Sequence, residues 1–94
     1  MTEHVLRLYI AGSSPTARRA EKQLAELRAL IKPEWKVEVI DIIQRPEMAE
    51  KAGILATPTL THERPERPRR IVGDLSDAKR VLEFLGIEVR GKPA

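Results

Sequence analysis

Two segments hold the residues whose types and spacing could do chemistry: Ala11-Gly12-Ser13-Ser14-Pro15 and Ile54-Leu55-Ala56-Thr57-Pro58-Thr59-Leu60. A turn that opens a helix suits a thiol nucleophile, because a helix N-terminus lowers the thiol's pKa. The chain contains no cysteine. A thiolate is the attacking group in disulfide exchange, and a serine hydroxyl, which ionises far above neutral pH, cannot replace it without a neighbouring base. Thiol redox catalysis is therefore the wrong chemistry for this sequence.

Other reactive residues have structural explanations of equal or greater weight. Ser13 and Ser14 stand where helix amides could hold an anion or a glutathione carboxylate, and Tyr9 precedes them, so a glutathione-binding module is one alternative reading. Ser14 as a helix cap explains the same residues without a ligand. Asp41 interrupts an apolar strand and is expected at its exposed end or, preferably, paired with a nearby arginine. Asp74 and Asp77 suit the cap of a final helix and lack a third ligand at metal-binding spacing. His4 and His62 have neither cysteine nor a Glu-x-x-His context, so neither zinc nor another cofactor is expected.

The remaining candidates are surface groups. Arg64, Arg67, Arg69 and Arg70 outnumber Glu63 and Glu66 in one stretch. Such a patch can be a solvated strand edge, or it can face acids on a partner and quicken association. A basic nucleic-acid accessory is the other alternative, disfavoured by the acids within the patch and the lack of interleaved aromatics. Trp35 lies between a helix and a strand, where it can serve as an interface hot spot or cover the helix end.

The whole chain sets narrow bounds. At 94 residues it is a single domain, and a chain of this size buries roughly 60 to 65% of its unfolded surface. Tyr9, Trp35 and Phe84 are its only aromatics, so aliphatic side chains must build the core. Seventeen basic against 14 acidic residues leave a net charge of +3, a mild excess that permits nucleic acid without indicating it. No apolar run approaches the roughly 20 residues of a membrane span, and Met1 to His4 does not open a signal peptide, so a cytoplasmic protein with no membrane partner is expected.

Periodicity supplies the elements. Val5 to Ile10 alternates, with Leu6, Leu8 and Ile10 on one face, and reads as a strand. Gly12 ends it. Ser14 caps a helix whose first position is Pro15, and Ala17, Ala20, Leu24, Leu27 and Ile31 form its apolar stripe up to Pro33. Val37 to Ile43 is a strand covered on both faces. Pro46 to Ala52 is a short helix closed by Gly53, and Ile54 to Thr61 is the third strand, with Pro58 tolerated near its start. Arg69 to Gly73 is a fourth strand, too closely connected to be anything but antiparallel. Leu75, Ala78, Val81, Leu82 and Leu85 signal a last helix capped by Asp74 or Ser76 and ended by Gly86. Ile87 to Ala94 reads as a frayed tail. The order βαβαββα, an α/β mixed sheet flanked by helices, is that of the thioredoxin fold.

Three segments resemble the KaiB family of circadian clock proteins: Leu6-Arg7-Leu8-Tyr9-Ile10-Ala11-Gly12 with Pro15; Val39-Ile40-Asp41 followed by Pro46 and Ile54 to Leu60; and Arg69-Arg70-Ile71-Val72-Gly73-Asp74-Leu75-Ser76-Asp77. Gly12, Pro15, Pro58, Gly73 and Asp74 are the fold-defining positions within them. The resemblance implies a protein with no reaction of its own that binds the ATPase ring of the hexameric clock kinase KaiC, alters its phosphorylation cycle and recruits other clock components. It also makes the edge bearing Trp35, Lys36 and Glu38 an expected partner-binding surface, to which the arginine patch adds Arg69 and Arg70.

Members of this family switch between a thioredoxin-like monomer and a tetrameric ground state with a rearranged C-terminal half. A related thioredoxin-like domain opens a clock-linked histidine kinase. This sequence departs from the family in two places. The loop after the third strand is the charged Arg64-Pro65-Glu66-Arg67-Pro68 rather than a proline run, and Phe84-Leu85 is followed by Gly86. A helix stopped cleanly at Gly86 predicts the thioredoxin-like monomer rather than the homotetramer.

Overall fold

A computed structural model describes residues 4–63 and 69–89. The elements follow as β1 (Val5–Ile10), α1 (Pro15–Arg28), β2 (Lys36–Asp41), α2 (Pro46–Ala52), β3 (Thr59–Glu63), β4 (Arg69–Val72) and α3 (Ala78–Leu85). The sheet order is β2-β1-β3-β4, with β1 parallel to β2 and antiparallel to β3, and β3 antiparallel to β4. This is the mixed thioredoxin-like sheet that the alternation and helix signals predict. The second, rearranged fold is not the one adopted here.

Alternation on β1 decides what goes where. Leu6, Leu8 and Ile10 join Leu24, Leu27, Leu60, Leu82 and Leu85 in the main core, beneath α1 and α3. Val5, Arg7 and Tyr9 leave by the other face, where Tyr9 is buried and its register partner Ile40 is buried beside it. Each fully buried Leu contributes about 1.5–3 kcal/mol. The aliphatic core thus replaces the aromatics that the sequence lacks.

Several boundaries differ from the sequence expectation. β3 opens at Thr59 rather than Ile54, because Pro58 has no amide hydrogen for a ladder and the chain before it is bent; the Thr57–Pro58 peptide is cis. β2 stops at Asp41 rather than Ile43, since the Asp41 carboxylate accepts the Ile43 amide at 3.0 Å and turns the chain.

The final helix is capped by Asp77, whose carboxylate accepts the Arg80 amide at 3.2 Å, rather than by Asp74 or Ser76. Asp74 instead closes the preceding turn on the Ser76 amide and hydroxyl, at 2.9 and 2.8 Å. Ile87 belongs to the core and Val89 packs against it, so the chain remains attached past Gly86. The loop Arg64 to Pro68 and residues 90–94 lie outside the described residues.

Candidate functional site

The C-terminal end of the parallel strands carries the turn where a thiol would be expected. Gly12 sits there at φ +66, a left-handed conformation open to glycine, and a Cβ on it would approach Ile43 Cδ1 to 3.3 Å. Asp41 staples the turn: one carboxylate oxygen accepts the Gly12 amide at 2.9 Å and also the Ile43 amide. These two backbone donors, Gly12 first, hold the Asp41 carboxyl below its ordinary pKa. Among the described residues its partners are amides, not the arginine that the sequence suggested.

Beside this turn lies a cleft of about 260 Å³, bordered by Ala11, Ser14, Thr16, Thr57 and Pro58 among others. Its lining has no thiol, imidazole or carboxylate. Ser14 Oγ accepts the Ala17 amide at 3.2 Å, so the hydroxyl caps α1 and no base adjoins it in the lining. The side chains of the cleft supply no nucleophile with a general base.

The second candidate surface is the sheet face opposite the main core. Cross-strand register places Glu38, Arg7, Thr61 and Arg70 in one row. Arg7 Nε donates to Glu38 Oε1 at 2.7 Å, and Arg7 Nη1 lies 3.9 Å from Glu63 Oε1. Lys36 Nζ lies 3.6 Å from Glu38 Oε2. The Arg7 hydrogen bond, with Arg7 and Lys36 charge, lowers the Glu38 pKa, while the Glu38 bond raises that of Arg7 against the opposing effect of burial. Burial is the first cause of the raised Tyr9 pKa. Lys36 and Glu38 therefore belong to a charge ladder whose centre is Arg7, a residue that sequence reasoning did not select. Its place on β1 opposite Leu6 and Leu8 was the available signal.

Trp35 is not at the surface. Only 8% of it is exposed, and its ring lies 4.6 Å from that of His4 and 5.0 Å from that of His62. Arg28 Nη1 donates to the Trp35 carbonyl at 3.2 Å. The packed alternative is the one observed, and Trp35 supports the edge at Lys36 from beneath. The two histidines, far apart in sequence, meet on its indole; no group of three or more potential metal ligands occurs among the described residues.

Arg69 and Arg70 diverge. Arg70 donates from Nη1 to the Gly53 carbonyl at 3.1 Å and from Nη2 to that of Ala52 at 2.9 Å, at the end of α2. Arg69, on the opposite face of β4, donates to the Phe84 carbonyl at 3.0 Å in the last turn of α3. Both satisfy carbonyls that a helix end leaves open. Exposed apolar groups add to the outer surface, with Leu55 98%, Ile43 68%, Val72 56% and Phe84 55% exposed.

Comparison with known proteins gives these surfaces a family. The KaiB domain model matches residues 7–87. The circadian clock oscillator protein KaiB of Prochlorococcus marinus (strain MIT 9211) is 50% identical over 80 residues, covering 84% of this chain and 70% of its own. That of Picosynechococcus sp. (strain ATCC 27264 / PCC 7002 / PR-6) is 46% identical over 80 residues, covering 84% and 77%.

Two solved structures extend the comparison to the fold. The N-terminal domain of Synechococcus elongatus SasA is similar at TM-score 0.69 and 21% identity, covering 92% of this chain and 86% of that one. Oxidised thioredoxin O2 of Arabidopsis thaliana is similar at TM-score 0.74 and 23% identity, covering 88% and 75%. At these identities the two structures speak for the thioredoxin-like fold alone. The match along residues 7–87, joined to half-identical relatives that are clock oscillator proteins, shows that this chain belongs to the KaiB family.

Proposed function

We propose that this protein works by docking onto a KaiC-type hexameric ATPase and altering its phosphorylation cycle, with no reaction of its own. The observation that carries the reading is KaiB-family membership over residues 7–87 in a chain whose helix-opening turn, Ala11-Gly12-Ser13-Ser14, has no sulfur. It acts as a monomer in the cytoplasm, and other clock components are further partners. Among the described residues no helix is long and apolar enough to cross a membrane.

The contact surface of this proposal is the Lys36–Glu38 edge and the row that runs from Glu38 through Arg7 to Arg70; Arg69, on the opposite face of β4, lies apart from it. Trp35 contributes by holding that edge in place. Charged groups at a rim govern association rate more than affinity. The experiment is sedimentation of the protein with a KaiC-type ring, wild type against Lys36→Glu. The wild type co-sediments, and stopped-flow mixing of the same pair shows that the charge reversal slows association. Amide shifts at Ser14 and Thr57 on adding glutathione, without ring binding, favour the small-ligand reading. Steeply salt-dependent DNA binding favours the nucleic-acid one.

A further inference from the structure

We propose that the β3–β4 hairpin is a latch on α3, with His62 and Arg69 as its catch, and that it sets how readily this one helix detaches from the sheet. His62 and Arg69 face each other across the β3–β4 ladder. From that position they take consecutive carbonyls of the same helical turn. His62 Nδ1 lies 2.9 Å from the Leu85 oxygen and Arg69 Nη1 lies 3.0 Å from the Phe84 oxygen. A carbonyl only accepts, so His62 carries its hydrogen on Nδ1.

The catch is braced on its inner side. His62 is buried and its ring packs against Trp35, whose carbonyl is held in turn by Arg28. Arg69 is the outer half, its bond to Phe84 being exposed.

α3 is the element that needs such a catch. It has eight residues, below the roughly 12–15 at which an isolated helix becomes even marginally stable. It is held by one apolar face, Val81, Leu82 and Leu85, while Phe84 on its other side is exposed. A short helix held by a single face can open at less than the global unfolding free energy. Arg70 provides an internal control, because it clamps α2 from the adjacent position of the same strand.

The test is native-state amide hydrogen exchange of the full chain, wild type against Arg69→Met and Arg70→Met. Methionine preserves an apolar stem and removes the donors. Arg69→Met speeds exchange at Val81 to Ile87 by roughly three- to tenfold, the worth of one hydrogen bond, and leaves α2 at its wild-type rates. Arg70→Met accelerates the end of α2 and leaves α3 alone. His62→Phe, which retains a ring against Trp35, repeats the α3 effect if it folds. Unchanged exchange at α3 in Arg69→Met overturns the latch, and so does equal acceleration of β1, α1 and α3, which reports only global destabilisation.

Discussion

The Asp41 carboxylate, at the end of β2, accepts the amide of Gly12, 29 residues earlier, at 2.9 Å, and so ties the turn after β1 to the turn after β2. That bond fixes the turn beside the cleft. It also makes this turn sensitive to acid. The folded-state pKa of Asp41 is depressed by its amide donors. A depressed carboxyl contributes stability that is present above its unfolded pKa and is lost as pH falls through the folded value. Asp41→Asn is therefore expected to unfold at lower temperature than wild type at neutral pH. The gap closes below the ordinary carboxylate range, which thermal melts across pH will show.

Gly12 faces a second constraint. At φ +66, with Ile43 Cδ1 placed 3.3 Å from a prospective Cβ, Gly12→Ala must adopt a left-handed backbone and displace a side chain. The left-handed term alone costs about 1–2 kcal/mol, and Ile43 is exposed enough to move. Urea denaturation should give a loss of that order with the fold retained.

Trp35 is buried between elements, so its truncation reads on stability first. Trp35→Ala is expected to cost about 3–5 kcal/mol, and Trp35→Phe markedly less because a ring remains against His4 and His62. Equilibrium unfolding followed by circular dichroism gives both values. A Trp35→Ala protein as stable as wild type contradicts the packing described.

Arg7 lies between Glu38 and Glu63, with about a third of each side chain exposed (32%, 30% and 34%). At such exposure an ion pair contributes about 0–1 kcal/mol. A double-mutant cycle on Arg7→Met and Glu38→Gln should yield a coupling in that range, smaller at high salt. A coupling that ignores salt would place the pair in a drier setting than the sheet face provides.

The local elements were legible because their signals are local. The stripe Ala17, Ala20, Leu24 and Leu27, the Ser14 cap and the glycines at 53 and 86 each act within a few residues, and each stands where periodicity put it. The long-range pairings were not legible. The bonds from His62 to Leu85, 23 residues away, and from Arg69 to Phe84, 15 away, depend on how the hairpin meets α3, which no window of sequence contains. Trp35 left two readings open for the same reason, since a loop residue has no periodicity to give its side. Ile87 was assigned to a tail because Gly86 ends the helix, yet its amide donates to Leu82 at 2.8 Å and carries the side chain back into the core.

The most direct test of docking without chemistry is a titration of the purified protein into a KaiC-type ATPase, monitored by sedimentation and by the phosphorylation state of the kinase. The account predicts a complex at micromolar concentration, a shifted phosphorylation cycle, and no turnover of thiol or peroxide substrates by the protein alone. Absence of a complex at that concentration, or turnover by the isolated chain, contradicts it.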